Sequence, residues 1–400
     1  MLAFARVPSE NPPQGRSGAA TAAVPLGTIA REWGRIGCIG FGGPPAHIAL
    51  FRRLCVTEHR WLTAEQFEHA IAAANLLPGP ASTQLAIYCA WRLRGARGAL
   101  VGAAGFIGPG LILILALSVL FLGSSPPTWV RGAGLGAGAA VAAVAVSAGL
   151  GVARPLWGRT HAQARARTLA YGLAGGLSAA LLGPWLVLVL IGCGVVELIW
   201  RGRAHALAGL QIWPMAAALD PGGTWALAWT ALKVGALSFG GGFVIIPLMR
   251  ADAVGTFHWM THSQFLNAVA LGQVTPGPVV LTVAAVGYSA SGIAGGLLAA
   301  LVAFAPSVLF VLAGASRFES LLGNASVSAF LGGAAPAAAG AIIGSAIPLA
   351  QSNSEAWQLI LLGAAAVSLL AFRRGAVWTL LAAGCTGTLL AVAGAPLPHG

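Results

Sequence analysis

Five apolar runs, at roughly 98–122, 129–152, 224–248, 292–315 and 327–350, are each long enough to cross a hydrocarbon core of about 30 Å as a helix of about 20 residues. Nothing else in the sequence limits the possible folds so far, because a chain surrounded by lipid must satisfy its own backbone and runs of this length do so as helices. The 400 residues are 57% hydrophobic and only 8% charged, with a mean hydropathy of +0.82. Lipid is therefore the solvent for most of the chain. The formal charge of +12 does not point to nucleic acid, since the basic residues sit in short connections between apolar runs, where topology accounts for them. Residues 1–27 are rich in Pro, Gly and Ser and carry no apolar core before a cleavage site, so they read as a disordered tail and not as a signal peptide. Cys38, Cys55, Cys89, Cys193 and Cys385 are scattered without a C-x-x-C spacing, which indicates neither a metal cage nor a disulfide framework. No cofactor is expected.

The chain repeats itself. Sliding it by 198 residues aligns Arg35–Pro80 with Lys233–Pro278 without a gap, with 17 identities in 46 pairs. Gly37, Phe41, Gly42 and Gly43 fall on Gly235, Phe239, Gly240 and Gly241. Trp61 falls on Trp259, and Pro78-Gly79-Pro80 falls on Pro276-Gly277-Pro278. A period this long is not that of a solenoid and resembles the internal repeats of transporters. A single Gly or Pro in a membrane helix usually serves packing. Breaks that recur in register in both halves interrupt the backbone ladder, and such breaks are tolerated at membrane depth where they are buried in protein or line a polar cavity.

The arginines orient the halves. Connections at 52–60 (Arg52, Arg53, Arg60) and 92–97 (Arg92, Arg94, Arg97) belong in the cytoplasm. Their counterparts at 250–258, where Asp252 offsets Arg250, and at 289–295, which is uncharged, belong outside. The halves are thus inverted. Arg154, Arg159, Arg165 and Arg167 fall inside, as do Arg201 with Arg203, Arg317, and Arg373 with Arg374. Segments 63–76 and 79–91 are each only about 20 Å long as helices, so two short helices meeting at Pro-Gly-Pro form a re-entrant hairpin. Arg31 and Arg35 fit poorly with an outside start, which requires a first segment bent at Gly42-Gly43, a re-entrant one, or a preceding interfacial helix. The expected fold is an all-α polytopic membrane protein of two homologous inverted repeats with broken helices. It comprises a tail at 1–27, a first transmembrane repeat at 28–200, a linker at 201–223 and a second repeat at 224–400.

Phe41-Gly42-Gly43-Pro44 followed by His47, Trp61 and Phe67, Leu77-Pro78-Gly79-Pro80 with Gln84, and in the second half Phe239-Gly240-Gly241-Gly242 and Pro276-Gly277-Pro278 together resemble the two-domain form of the chromate ion transporter family, over about residues 28–395. The resemblance implies export of chromate driven by the proton gradient from a bacterial inner (cytoplasmic) membrane. Some members of the family are linked to sulfate, which leaves sulfate as the alternative substrate. A homodimer is left open, and lipid is the only surrounding partner implied.

A tetrahedral oxyanion needs several donors and a positive potential, which the N-termini of half-helices provide. Those restarting after Gly42-Gly43, Gly79, Gly240-Gly241 and Gly277 converge near the midplane under inverted symmetry, and this convergence is the expected site. Arg35 and Lys233 occupy equivalent positions, and each is read either as a snorkelling anchor or as a cation that draws the dianion in. Lys233 lies in an apolar helix, where an ionised group requires compensation. Glu32 and His47 are the candidates for proton coupling, against a plain i, i+3 pair with Arg35 and a satisfied core histidine. Asn75 and Gln273 match each other before Pro-Gly-Pro and, with Thr83, Gln84, Ser238, Thr275 and Thr282, are neutral donors either to the anion or between helices. An enzyme is not expected: the sequence has no H-E-x-x-H, no paired carboxylates in a helix and no G-x-x-x-x-G-K-[ST], and the glycine string Gly132–Gly138 lies inside an apolar run as helix packing. An anion channel remains compatible with the same architecture.

Overall fold

In the computed structural model, residues 24–76, 79–123, 125–159, 164–181, 186–202, 223–238, 245–314 and 324–397 are described. They form helices and connections, and no strand occurs among them. Most of the expected tail, most of the linker, Pro78 and Phe239-Gly240-Gly241-Gly242 lie outside the described residues.

The first repeat contains α1 (Leu26–Ile39), α2 (Pro44–Arg52), α3 (Ala64–Leu76), α4 (Ala81–Phe121), α5 (Thr128–Arg159), α6 (Arg165–Leu181) and α7 (Leu186–Trp200). The second contains α8 (Thr224–Ala236), α9 (Ile245–Arg250), α10 (His262–Val274), α11 (Thr282–Gly314), α12 (Ala325–Gly344) with its short continuation α13 (Ala346–Gln351), α14 (Ala356–Ala366) and α15 (Ala376–Val392). The order of elements repeats as the sequence does. Even unusual backbone recurs: α2 and α9 each run on into a wide π turn, at Arg53–Glu58 and Ala251–Thr256. Each turn is followed by a non-glycine residue at positive φ, Arg60 at 51° and His258 at 53°. The stretches at 52–60 and 250–258 are thus largely helical, where the sequence suggested open connections.

The apolar run at 224–248 is not one crossing either, because α8 ends at Ala236. Among the described residues, four helices, Ala81–Phe121, Thr128–Gly158, Val279–Gly314 and Ala325–Gln351, are long and apolar enough to span a membrane. Two of them are really hairpins. In α4 the chain leaves helical geometry at Arg94 and Gly95 (φ +60°), and in α11 at Ser291 and Gly292 (φ +64°). At both points a short limb folds back along a long one, with Ala90 against Gly98 and Gly102, and Gly287 against Gly295 and Ala299. Only glycine accepts this φ without a Cβ penalty. The long limbs carry an internal proline at matching places, Pro109 and Pro306.

Reciprocal packing holds the halves together. α5 packs on α14 and α15 of the second repeat, while α12 packs on α6 and α7 of the first. Small residues make this possible. Gly132 and Gly136 lie on the backbone of Ala383 and Gly387, and Gly340 and Gly344 lie on that of Gly172 and Gly176. The glycine string is therefore a packing face, as read from sequence. The end of the long limb of α4 lies beside the start of the long limb of α11, where Leu115 touches Gly296.

Candidate functional site

Each Pro-Gly-Pro turn meets the other repeat. Gly277 (φ +99°) donates its N–H to the carbonyl of Gly40 at 2.9 Å and lies against the backbone of Gly37 and Phe106. Gly79 (φ +122°) lies against the carbonyl of Gly235 and the hydroxyl of Ser307, and a methyl group placed on it would sit 3.0 Å from that Oγ and 2.6 Å from Gln84 Nε2. Gly37 and Gly235 are themselves equivalent, each pressed onto a carbonyl of its own long limb, that of Phe106 or Ala303. Pro80, Pro276 and Pro278 are buried with the turns. Five of the expected glycine and proline positions, Gly79, Pro80, Pro276, Gly277 and Pro278, thus form a two-fold-like crossing between repeats.

The helices that restart here have no side-chain caps. α4 begins after Pro80, and a 3-10 turn, Val279–Leu281, leads into α11 after Pro278, both buried; α2 begins after the half-buried Gly43 (φ +74°) with Pro44 and Pro45, which lack an N–H; none has a side-chain cap. By contrast Thr261 and Asn324 cap the peripheral starts of α10 and α12. Of the other uncapped starts among the described residues, those after Pro25, Gly223 and Gly375 are exposed, so water can serve their N–H groups, while α13 continues α12 through the buried Ser345, whose N–H bonds the Ala341 carbonyl. Around the crossing, Thr83 Oγ1, Ser238 Oγ, Ser307 Oγ and Gln273 Nε2 are buried and have no hydrogen-bond partner among the described residues. Thr275 and Thr282 instead return their hydroxyls to Leu271 and Val279 carbonyls. Buried polar atoms are nearly always paired, so orphan donors gathered at an interior junction indicate a ligand or water.

His47 is fully buried on α2, edge-on to Phe106 at 5.1 Å, with Nε2 2.9 Å from the Gly40 carbonyl that also receives Gly277. If Nε2 donates there, Nδ1 is an acceptor, and it has no partner among the described residues. His47 is thus half satisfied and touches the crossing. Phe41 and Gly42, in contrast, are exposed, and Pro44 is half-buried. Asn75 lies in α3, and its side chain is not among those described.

Both cations are paired. Arg35 bonds Glu32 at 3.0 Å and Glu58 at 3.5 Å, and Arg31 reaches Glu32 at 3.4 Å. Lys233 pairs with Asp252 at 2.5 Å, and Thr230, at the position of Glu32, donates to the same carboxylate oxygen at 2.8 Å. With side chains 19% and 7% exposed, Lys233 and Asp252 form a largely buried ion pair. Sequence reasoning missed Asp252, having counted it as an external charge offsetting Arg250. The signal was its repeat partner, Leu54: an acid stands in the second half where the first has a leucine.

The comparisons with known proteins bear on the family and on the duplication. The family model described as "Chromate transporter" matches residues 27–198 and 225–388, two matches whose starts are separated by the same 198 residues as the internal repeat. The chain is 31% identical over 362 residues to the chromate transport protein of Cupriavidus metallidurans, covering 84% of this chain and 85% of that one. It is 30% identical over 352 residues to the probable chromate transport protein of Synechococcus elongatus (85% and 88% covered), and 30% identical over 340 residues to the chromate transport protein of Pseudomonas aeruginosa (80% and 80%). No solved structure matches. A multi-pass helical membrane protein built from two copies of this unit, the chain belongs to the chromate transporter family.

Proposed function

We propose that this protein is a secondary transporter that exports chromate across a bacterial inner membrane at the expense of the proton gradient, holding the oxyanion where each Pro-Gly-Pro turn meets the opposite repeat. The observation that carries the site is the coincidence of the buried, uncapped starts that follow Pro80 and Pro278 with the buried donors of Thr83, Ser238, Ser307 and Gln273, unpartnered among the described residues. Helix N-termini and hydroxyls suit a dianion that must also leave, because they attract it without a fixed charge at the contact. Arg35 and Lys233 then act from a distance, each already held by a carboxylate, and set the potential of the approach. Chromate as substrate is supported by the family and by the names of its relatives, whereas export and proton coupling rest on the resemblance. Catalysis is not part of this reading.

The two short helices on either side of each Pro-Gly-Pro, α3 with the first limb of α4 and α10 with the first limb of α11, act as re-entrant hairpins. α3 and α10, of 13 residues each, are about 20 Å long and too short to cross. Their mirrored placement gives the two repeats opposite roles as the cavity opens to one side and then the other. His47 and Glu32 carry the coupling proton, His47 because its Nε2 meets the Gly40 carbonyl that fixes Gly277 while its Nδ1 is left to take up a proton.

Uptake of labelled chromate into everted membrane vesicles tests the function. The expected result is saturable uptake that collapses with an uncoupler and is reduced by excess sulfate. Sulfate uptake without chromate uptake would overturn the substrate while leaving the site. Currents reversing at the anion's Nernst potential would make the protein a channel, and immobility of both anions in correctly inserted protein would end the oxyanion reading.

A further inference from the structure

A groove of 660 Å³ runs between α5, α6 and α12, away from the Pro-Gly-Pro crossing. Its floor is the glycine seam where Gly172 and Gly176 of the first repeat meet Gly340 and Gly344 of the second, and its rims are the exposed Leu169, Leu173, Leu177 and Ile347. Along α6 it extends from Thr168 to Ala180, about 18 Å at the helical rise. Because the rims are apolar and exposed, this furrow opens toward the lipid.

One end of the groove is different. Arg154 and Trp157 line it, and Arg165 lies over the Trp157 ring at 5.5 Å. Leu156, Thr168 and Pro336 are shared with a second cavity, of 190 Å³, whose walls include Arg167, Tyr171, Glu197 and Arg201. There Glu197 accepts from Arg201 Nε at 2.8 Å, from Arg167 Nε at 3.2 Å and from Tyr171 Oη at 3.1 Å. One buried carboxylate thus serves two guanidiniums, while Arg154 and Arg165 are exposed beside it. Four cations against one anion leave the head of an apolar groove positively charged, at the end that the distribution of arginines assigns to the cytoplasm.

We propose that this is a binding site for an anionic glycerophospholipid, with one acyl chain in the groove and the phosphate at Arg154, Arg165 and the outer N–H groups of Arg167 and Arg201. The match is one of shape and charge: an apolar furrow of chain length ends in an arginine-rich cavity with an interfacial tryptophan, which is how basic pockets between membrane helices receive acidic head groups. The bound lipid lies across the seam between repeats and fastens α6 of one to α12 of the other. It belongs to the scaffold and does not depend on which anion is transported.

The test is thermal unfolding and native mass spectrometry of the purified full chain in detergent, with phosphatidylglycerol, phosphatidylcholine of the same acyl chains, or inorganic phosphate added. Phosphatidylglycerol is expected to raise the melting temperature and remain bound, and phosphatidylcholine to do neither. Its affinity should fall about fivefold with Arg154→Ala and again with Arg165→Ala. Leu173→Trp, an exposed substitution that fills the furrow, should abolish binding with both arginines intact. Equal effects of the two lipids, or an anionic preference that survives all three variants, would overturn the proposal. So would the full shift with inorganic phosphate alone, or a Leu173→Trp variant that changes only a dimer into a monomer, since the groove would then seat a free anion or a second copy. Because none of these readouts involves transport, failure here and failure of the chromate reading remain separable.

Discussion

Lys233 shows how much a single charged residue dictates inside a membrane. In α8 it cannot stand alone, and Asp252, nearly buried across the π turn after α9, is its counter-ion. Lys233→Ala leaves that carboxylate with Thr230 as its remaining described partner, and we expect a loss of about 3 kcal/mol, read as a lower melting temperature. Lys233→Met combined with Asp252→Leu should recover most of the stability, because a leucine already occupies the equivalent place in the first repeat, at position 54. If the double variant melts as low as the single one, the pair is not what holds this corner. The lysine's need for a partner was legible in the sequence, but the partner was not, because a charge near an arginine reads as topology until the chain is folded. The same limit applied to Ser307, one hydroxyl within an apolar run, whose position against Gly79 is created by the other repeat. His47 was left between core and proton carrier, and its geometry has a share of each: one nitrogen is bonded and the other is not.

At the scale of elements, glycine does two different jobs that substitution can separate. Gly292 turns the α11 hairpin at φ +64° with open space where a Cβ would go, so Gly292→Ala should cost only the backbone strain, about 1–2 kcal/mol. Gly235 has an ordinary φ, but its Cβ would strike the carbonyl of Ala303. Gly235→Ala should therefore push α8 from α11 and reduce transport as well as stability, by about 2 kcal/mol or more. Melting curves and vesicle uptake for the two variants check this, and equal loss of uptake would contradict it. The turns at 92–97 and 289–295 and the breaks at Gly42-Gly43, Gly79 and Gly277 were legible from the repeated Gly and Pro, the first turn also from its charge, while the expected break at Gly240-Gly241 lies outside the described residues. The π turns were not, because their helical segments carry the arginines and small polar residues that ordinarily mark connections.

For the whole molecule, self-alignment revealed the duplication but could not reveal that the repeats cross, with α5 seated on the second and α12 on the first, since a period says nothing about which copy packs on which. Their opposite directions are tested in a cysteine-free background: Ala96→Cys and Ser291→Cys, exposed at or beside the two hairpin turns, should react with a membrane-impermeant maleimide only in everted vesicles and only in intact cells, respectively. Labelling of both from one side would contradict inversion. The central claim is that the crossing makes a single oxyanion site shared by both repeats. Chromate binding to purified Thr83→Val, Ser307→Ala and the double variant addresses it most directly. Both hydroxyls are buried without partners, so their removal should leave melting unchanged or raised. Chromate affinity should fall by about tenfold or more in each, with the double variant departing from additivity because both contact one anion. Unchanged affinity in all three variants would contradict the account.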